Sequence, residues 1–237
     1  MQDKRYLLDL KQLFTGEDRE TLLRKVLDGV DSERRQKALR IKKAKVQAAS
    51  LGAGLLLQKI LADSMKDENH QTLPDSSKEN PKIQFLSVRE LLALTGDQVI
   101  EPEYGYGRNG KPYFKNHSIK FNLSHSGEYV FCGVSDGEIG VDIQEIKEAK
   151  EVSLAKRFFS EGECTLLKRC RNEEERSRMF FSMWVRKEAY GKLTGQGIAG
   201  TLKKDLWTVE TVQGELVWEE YAAPTGYRIA VCKYAPE

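Results

Sequence analysis

Cysteine, histidine and proline are all scarce in this chain of 237 residues, which has four Cys, three His and six Pro. The cysteines, Cys132, Cys164, Cys170 and Cys232, form no C-x-x-C pair. With so few histidines to join them, a zinc centre is not expected, and reduced thiols are. Long apolar runs are missing too. The longest, Leu51-Gly-Ala-Gly-Leu-Leu-Leu57, stops at Gln58, far short of the ~20 residues that a membrane-spanning helix needs. The opening MQDKRYLLDLKQLF is charged from its third residue and has no apolar core followed by a small-residue cleavage site. No secretory signal is read there, and a cytoplasmic location is expected. Nor does one sign of charge dominate: 38 Lys and Arg against 36 Asp and Glu leave +2, so electrostatic targeting has to come from local patterning. What remains is 40% hydrophobic and 31% charged, which excludes a disordered or collagen-like chain. The length suits one large domain or two small ones, enough to bury a core.

Helical periodicity runs from Leu22 to about Met65, through Leu22, Leu23, Val26, Leu27 and Val30 and again through Leu51, Leu55, Leu56 and Ile60, which predicts two or three helices. The stretch from Asp63 to Pro81 is rich in Asp, Asn, Ser and Pro and reads as a long loop. Short strand-like runs follow, broken by turn signals in Gly105 to Pro112 and Ser135 to Glu138. Helical patterning returns from Val152 to about Leu193. The chain closes on strand-like segments at Leu206 to Val212, Glu215 to Tyr221 and Tyr227 to Tyr234. That order predicts an α+β protein of two halves, residues 1–140 and 141–237.

Arg34 to Lys45, RRQKALRIKKAK, holds seven Lys or Arg and no acid, with Ala38, Leu39 and Ile41 available to face a core. It reads either as a solvated helix face or as a contact to phosphates of a nucleotide or a nucleic acid. Gly105-Tyr-Gly-Arg-Asn-Gly110 matches G-x-G-x-x-G, but Lys111-Pro112 and a strand-like Tyr113-Phe114 follow it. A dinucleotide fold needs a helix there, so the match is read as a turn, with Lys111 beside it as a surface lysine or a phosphate contact.

Between Phe121 and Gln144, Asp136-Gly137 is a two-residue hairpin signal that would pair Val134 with Ile139 and Phe131 with Asp142. The Asn122 to Ser126 loop would then lie at the Gln144 end. Period-2 alternation sets Ile139, Val141 and Ile143 on one face and Asp142 with Gln144 on the other. Ser124 and His125 are adjacent and lack a G-x-S-x-G elbow, which argues against a nucleophilic triad. Asp142 is either an ordinary strand carboxylate or a ligand. In Met179 to Lys192, residues Phe181, Trp184, Glu188 and Lys192 share one helix face. Glu188 with Lys192 is either a helix-stabilising i,i+4 pair or part of a divalent-cation and phosphate site with Asp142, Lys187 and Lys192 nearby.

Gly140-Val-Asp-Ile143, followed by Trp184-x-x-Lys187-Glu188-Ala189-x-x-Lys192, resembles the signature pair of the 4'-phosphopantetheinyl transferases, in the double-length type that activates surfactin synthetase and its relatives. Asn122-Leu-Ser-His-Ser126 resembles a third motif of that family and Gly110-Lys-Pro112 a fourth. The resemblance covers about residues 30 to 195. It implies a pseudo-dimer of two similar α+β halves with the active site at their interface. It also implies transfer of phosphopantetheine from coenzyme A to a serine of an apo acyl, peptidyl or aryl carrier protein in fatty acid, polyketide or nonribosomal peptide biosynthesis, with release of 3',5'-ADP.

Carried over by residue, Mg2+ falls to Asp142 and Glu188, with Gln144 standing where surfactin-type members have a glutamate. Phosphate contacts fall to Lys187 and Lys192, and the nucleotide end to Lys111, Ser124 and His125. The 3'-phosphate falls to Lys37, with Arg34 and Arg40 as neighbours. Glu188 is the candidate base and Lys192 the candidate acid or stabiliser of the leaving phosphate. A monomer that engages neither nucleic acid nor membrane is expected. The alternative is a nucleic-acid-binding module built on residues 34–45, which leaves Asp142 and Glu188 without a role.

Overall fold

The computed structural model describes residues 3–68, 81–96, 98–147, 151–208, 215–219 and 221–235. It divides into two compact units, Met1–Gly105 with Tyr113–Asp136, and Tyr106–Pro112 with Gly137–Glu237. The division falls at 136/137, and not at 140/141, with the tip of the two-stranded ribbon of β3 (Tyr104–Tyr106) and β4 (Pro112–Phe114) added to the second unit. Both units mix helices and strands, so the α+β expectation holds at that level.

Among the described residues, the first unit builds a sheet in the order β2-β1-β6-β5. Strand β1 (Lys4–Asp9) runs parallel to β2 (Ile83–Ser87), with Arg5 opposite Ile83, and antiparallel to β6 (Tyr129–Ser135), with Arg5 opposite Gly133. Strand β5 (Lys120–Ser126) pairs with the other edge of β6 through the two-residue turn Gly127-Glu128, where Gly127 takes a φ of 56°. A left-handed first turn residue suits glycine and matches the twist of the hairpin. Helix α1 (Arg19–Asp28), helix α2 (Ser32–Leu39), the long α3 (Ala44–Glu68) and α4 (Val88–Thr95) complete the unit.

Leu51, Leu55, Leu56 and Ile60 of α3 meet Tyr6, Leu8 and Leu10 of the β1 region in one buried core. Full burial of each such side chain contributes roughly 1.5–3 kcal/mol. Gly52 allows the close approach of α3, since a Cβ there would lie 2.6 Å from a Leu10 methyl. The expected Asp63 to Pro81 loop starts later, because α3 continues to Glu68. Residues 69–80 of that expectation lie outside the described residues. Leu39, offered as a core residue, is exposed, whereas Ala38 is buried.

The second unit has a sheet in the order β7-β9-β8, formed by β7 (Ile139–Glu145), β9 (Tyr227–Tyr234) and β8 (Leu216–Glu219). Asp142 lies opposite Ala230 and Gln144 opposite Arg228. The expected hairpin across Asp136-Gly137 is therefore overturned. Strand β6 already has β1 on one edge and β5 on the other, so no edge is left for β7, and Asp136-Gly137 is where the chain passes from one unit to the next. The expected strand at Leu206 to Val212 is not formed over residues 206–208, and 209–212 lie outside the described residues. Glu215 to Tyr221 shortens to Leu216–Glu219.

Helix α7 (Glu173–Leu193) packs on this sheet, and α5 (Glu151–Phe158) and α6 (Glu161–Lys168) pack on α7. The α7 start is capped by Asn172, whose Oδ1 accepts from Glu175 N at 2.8 Å, and Glu173, Glu174 and Glu175 place negative charge at its positive end. Phe159 stacks on Phe180 at 5.1 Å and Phe158 meets Trp184 edge-on at 5.4 Å. No helix among the described residues is long and apolar enough to cross a membrane.

Candidate functional site

Strand β7 and helix α7 meet at Gly140. A side chain there would put its Cβ 2.0 Å from the Ala189 carbonyl oxygen and 2.5 Å from Leu193 N, so only glycine lets the last turns of α7 lie directly on the strand. Two residues along the same strand face stands Asp142, 5% exposed. The polar face predicted for Asp142 and Gln144 is thus covered by a helix.

That packing brings Lys192 onto Asp142. Its Nζ donates to Asp142 Oδ1 at 2.8 Å and to the Val141 carbonyl at 3.1 Å. Glu188, one helical turn earlier, is partly buried, and its carboxyl pKa is raised first by desolvation and then by the nearby charge of Asp142, with Lys192 opposing both. The Glu188 carboxylate, poorly solvated and beside the charge of Asp142, is favoured by a cation close to it. Lys192 is one such cation. A divalent ion with a preference for oxygen is another, so this donor set suits Mg2+. No group of three or more His, Cys, Asp or Glu able to hold a metal forms among the described residues. Mg2+ commonly takes one or two protein carboxylates and completes its shell with water and substrate phosphates, so two suffice.

Gln144 follows Asp142 on the same strand face, and its amide nitrogen donates to the Glu145 carbonyl at 3.1 Å. Lys111 belongs to the 106–112 tip, which turns through left-handed Asn109 and Gly110 at φ 56° and 76°. The turn reading of the glycine-rich stretch agrees with this geometry. Lys111 Nζ reaches Glu138 Oε2 at 2.8 Å and the Ile139 carbonyl at 3.2 Å, while Asn109 Nδ2 donates to the Gly195 carbonyl at 2.7 Å.

Lys187 corrects an expectation. Its side chain is fully buried and paired at 2.9 Å with Glu163, itself 1% exposed. It also donates to the Lys204 carbonyl, and burial lowers its pKa. An ammonium sealed in the interior with its own carboxylate offers nothing to a phosphate. The reason lies in the helix period: Phe180, Met183 and Lys187 recur on a buried stripe of α7, about 100° round from Glu188. Glu163 was missed by motif reading. Its signal is the capping box Ser160-x-x-Glu163, in which Ser160 Oγ accepts from Glu163 N at 3.0 Å and Glu163 Oε2 from Ser160 N at 2.8 Å.

In the first unit, α2 begins at the buried Asp31, whose Oδ1 accepts from Arg34 N at 2.8 Å and whose Oδ2 accepts from Tyr104 Oη at 3.0 Å. Burial, then the Asp31 charge, raises the Tyr104 pKa. Lys37 and Arg40 are exposed, and Arg34 is partly buried with its stem over Gly54. The basic run is not one helix, since α2 ends at Leu39 and α3 starts at Ala44. Asn122 to Ser126, expected as a loop, lies within β5, an edge strand of its sheet. Ser124 is buried and His125 exposed. Consecutive strand residues face opposite sides, so these two do not form a hydroxyl–imidazole pair.

Residues 138–232 match the family model described as ACPS: 4'-phosphopantetheinyl transferase superfamily. The chain is 35% identical over 160 residues to the 4'-phosphopantetheinyl transferase psf-1 of Bacillus pumilus, a match covering 63% of this chain and 66% of that protein. It is 39% identical over 125 residues to the putative 4'-phosphopantetheinyl transferase slr0495 of Synechocystis, covering 50% of each. It is 33% identical over 141 residues to the 4'-phosphopantetheinyl transferase Sfp of Bacillus subtilis, covering 54% of this chain and 61% of the relative. The matched stretch spans about half to two thirds of these curated relatives. Strand β7 and helix α7, with Asp142, Glu188 and Lys192, both fall inside residues 138–232, the part of the chain that matches the 4'-phosphopantetheinyl transferase superfamily.

Proposed function

We propose that this protein transfers the 4'-phosphopantetheine group of coenzyme A to a serine hydroxyl of an apo carrier protein. The serine oxygen attacks the phosphorus that carries pantetheine, the bond from that phosphorus to the bridging oxygen breaks, and 3',5'-ADP leaves. The observation that supports this best is the Asp142–Lys192 contact beside Glu188 within the family-matched part of the chain.

Asp142 and Glu188, with Gln144 beside them, would hold Mg2+, which when bound neutralises negative charge on the diphosphate. Glu188, with its raised proton affinity, is suited to accept the serine proton directly or through water. Lys192, its stem anchored along α7, is suited to put charge or a proton on the leaving phosphate oxygen. Lys111, Ser124 and His125 are assigned to the nucleotide end, and Lys37 with Arg34 and Arg40 to the 3'-phosphate. Positioning and charge neutralisation would supply most of the rate. A pseudo-dimeric pairing of similar halves, a monomeric state and a cytoplasmic location belong to the same proposal.

Incubation with coenzyme A, Mg2+ and apo carrier proteins of the fatty acid, polyketide and peptide classes, read by intact mass, tests the reading. One phosphopantetheine added to a carrier, lost when Mg2+ is chelated, is the expected result. No adduct on any class would overturn it.

A further inference from the structure

Lys187 lies in the middle of the Trp184 to Lys192 segment yet reaches away from Asp142, toward Glu163. We propose that Glu163 is a positioning residue for the site: acting through Lys187, it fixes the roll of α7 and so the places of Glu188 and Lys192 against Asp142. The inference rests on the transfer reading above.

Glu163 occupies the third position of α6 and is wholly buried. Its Oε2 accepts from Ser160 N at 2.8 Å and from Lys187 Nζ at 2.9 Å, and its Oε1 accepts from Leu206 N at 3.2 Å. Lys187 Nζ also donates to the Lys204 carbonyl and lies 5.4 Å from the centre of the Phe159 ring. One carboxylate therefore ties together the start of α6, the middle of α7 and the 204–206 segment.

As a source of stability this is a poor choice. Desolvating two charges offsets most of their attraction, and apolar side chains of similar volume often serve as well or better. What the ion pair supplies is direction. Methylene groups can slide past one another, whereas an ammonium has to stay within reach of particular oxygens. Lys187 and Glu188 are consecutive, about 100° apart around the helix, so a tether on one side sets where the other side points. A roll of ~20° moves a side-chain tip that is ~5–6 Å from the axis by ~2 Å. That would undo the 2.8 Å contact between Lys192 and Asp142. Misplacements of ~1 Å in reacting groups can reduce rates by about 10²-fold.

The test compares wild type with Glu163→Gln, which removes one charge, and with the double variant Glu163→Met, Lys187→Met, which leaves no charge buried. Thermal unfolding, calorimetric affinity for coenzyme A, and steady-state turnover of an apo carrier at varied coenzyme A are measured on each. Folded variants are expected to bind coenzyme A within about twofold of wild type while kcat falls by ~10²-fold, with KM for coenzyme A unchanged. Should the single variant not fold, the double variant decides.

A folded double variant with wild-type kcat overturns the proposal. So does loss of coenzyme A affinity in step with turnover, which would return Lys187 to the ligand. Failure of both variants to fold also overturns it, because the pair would then hold the unit together without aiming the helix. Absence of transfer by the wild type would instead sink the underlying reading, leaving the two failures distinguishable.

Discussion

Gly140→Ala is the smallest change that should separate the strand from the helix at the site. The added Cβ would lie 2.0 Å from the Ala189 carbonyl oxygen, 2.5 Å from Leu193 N and 2.9 Å from Leu193 Cβ. The first two atoms are backbone, so no change of rotamer relieves the clash. Ordinary contact begins at 3.4 Å, and restoring it from 2.0 Å requires strand and helix to part by roughly 1.4 Å. If α7 took the whole shift, the Lys192–Asp142 contact would stretch from 2.8 Å to ~4 Å, outside hydrogen-bond range. Overpacking of this kind costs ~1–3 kcal/mol, a fall of roughly 2–12 °C in Tm, and the displaced pair should lower kcat by about 10²-fold. Gly137→Ala is the control, because a Cβ at Gly137 meets nothing within 4 Å. It should leave stability within about 0.5 kcal/mol and turnover unchanged. Calorimetric unfolding and the carrier mass assay on the three proteins decide the matter. A Gly140→Ala protein with wild-type Tm and kcat would refute the reasoning that the β7–α7 approach sets the site.

Glu188→Gln should lower kcat at least ~100-fold and raise Tm at pH 8 in the absence of metal. Its carboxyl holds a proton to higher pH in the folded state than in the unfolded chain, so the wild type loses stability as pH rises through the range just above the unfolded value, and the amide does not. Equal Tm values at pH 8 would show that this carboxylate does not cost the fold anything. Wild-type calorimetry should show tighter binding of coenzyme A than of its dephospho form, and Lys37→Ala should weaken coenzyme A by about tenfold while leaving the dephospho form unchanged. Equal affinity of the wild type for both forms would remove residues 34–40 from the 3'-phosphate.

The helices and the α7 stripe were legible because periodicity is a local property, and Phe181, Trp184, Glu188 and Lys192 do run along one helix. Strand pairing was not, because it depends on which edges remain available. Asp136-Gly137 has the better local turn chemistry, yet the hairpin forms at Gly127-Glu128, where β6 meets β5. Helix α4 lies in a stretch read from sequence as strand-like runs only, although its Ser87-x-x-Glu90 capping box marks a helix start. The acidic and basic residues of the signature helix are legible as a motif, but the motif does not say which helix face each one occupies. Counting from Phe180 and Met183 would have put Lys187 in the interior, and the matching Ser160-x-x-Glu163 signal would have named its partner.

The interior place of Lys4–Asp9 in its sheet bears on how the chain reaches its native state. Tyr6, Leu7 and Leu8 are all buried, so this strand is apolar on both faces, and its partners arrive much later in synthesis: Arg5 waits for Ile83 on one side and Gly133 on the other. Until β6 has been made, the strand is an unpaired, sticky edge of the kind that recruits other chains. Closing so long a loop also slows the search for the native pairing. Refolding of the first unit should therefore be slow and dependent on concentration, with yield falling as protein concentration rises, and any truncation that ends before Tyr129 leaves an aggregation-prone strand with one side bare.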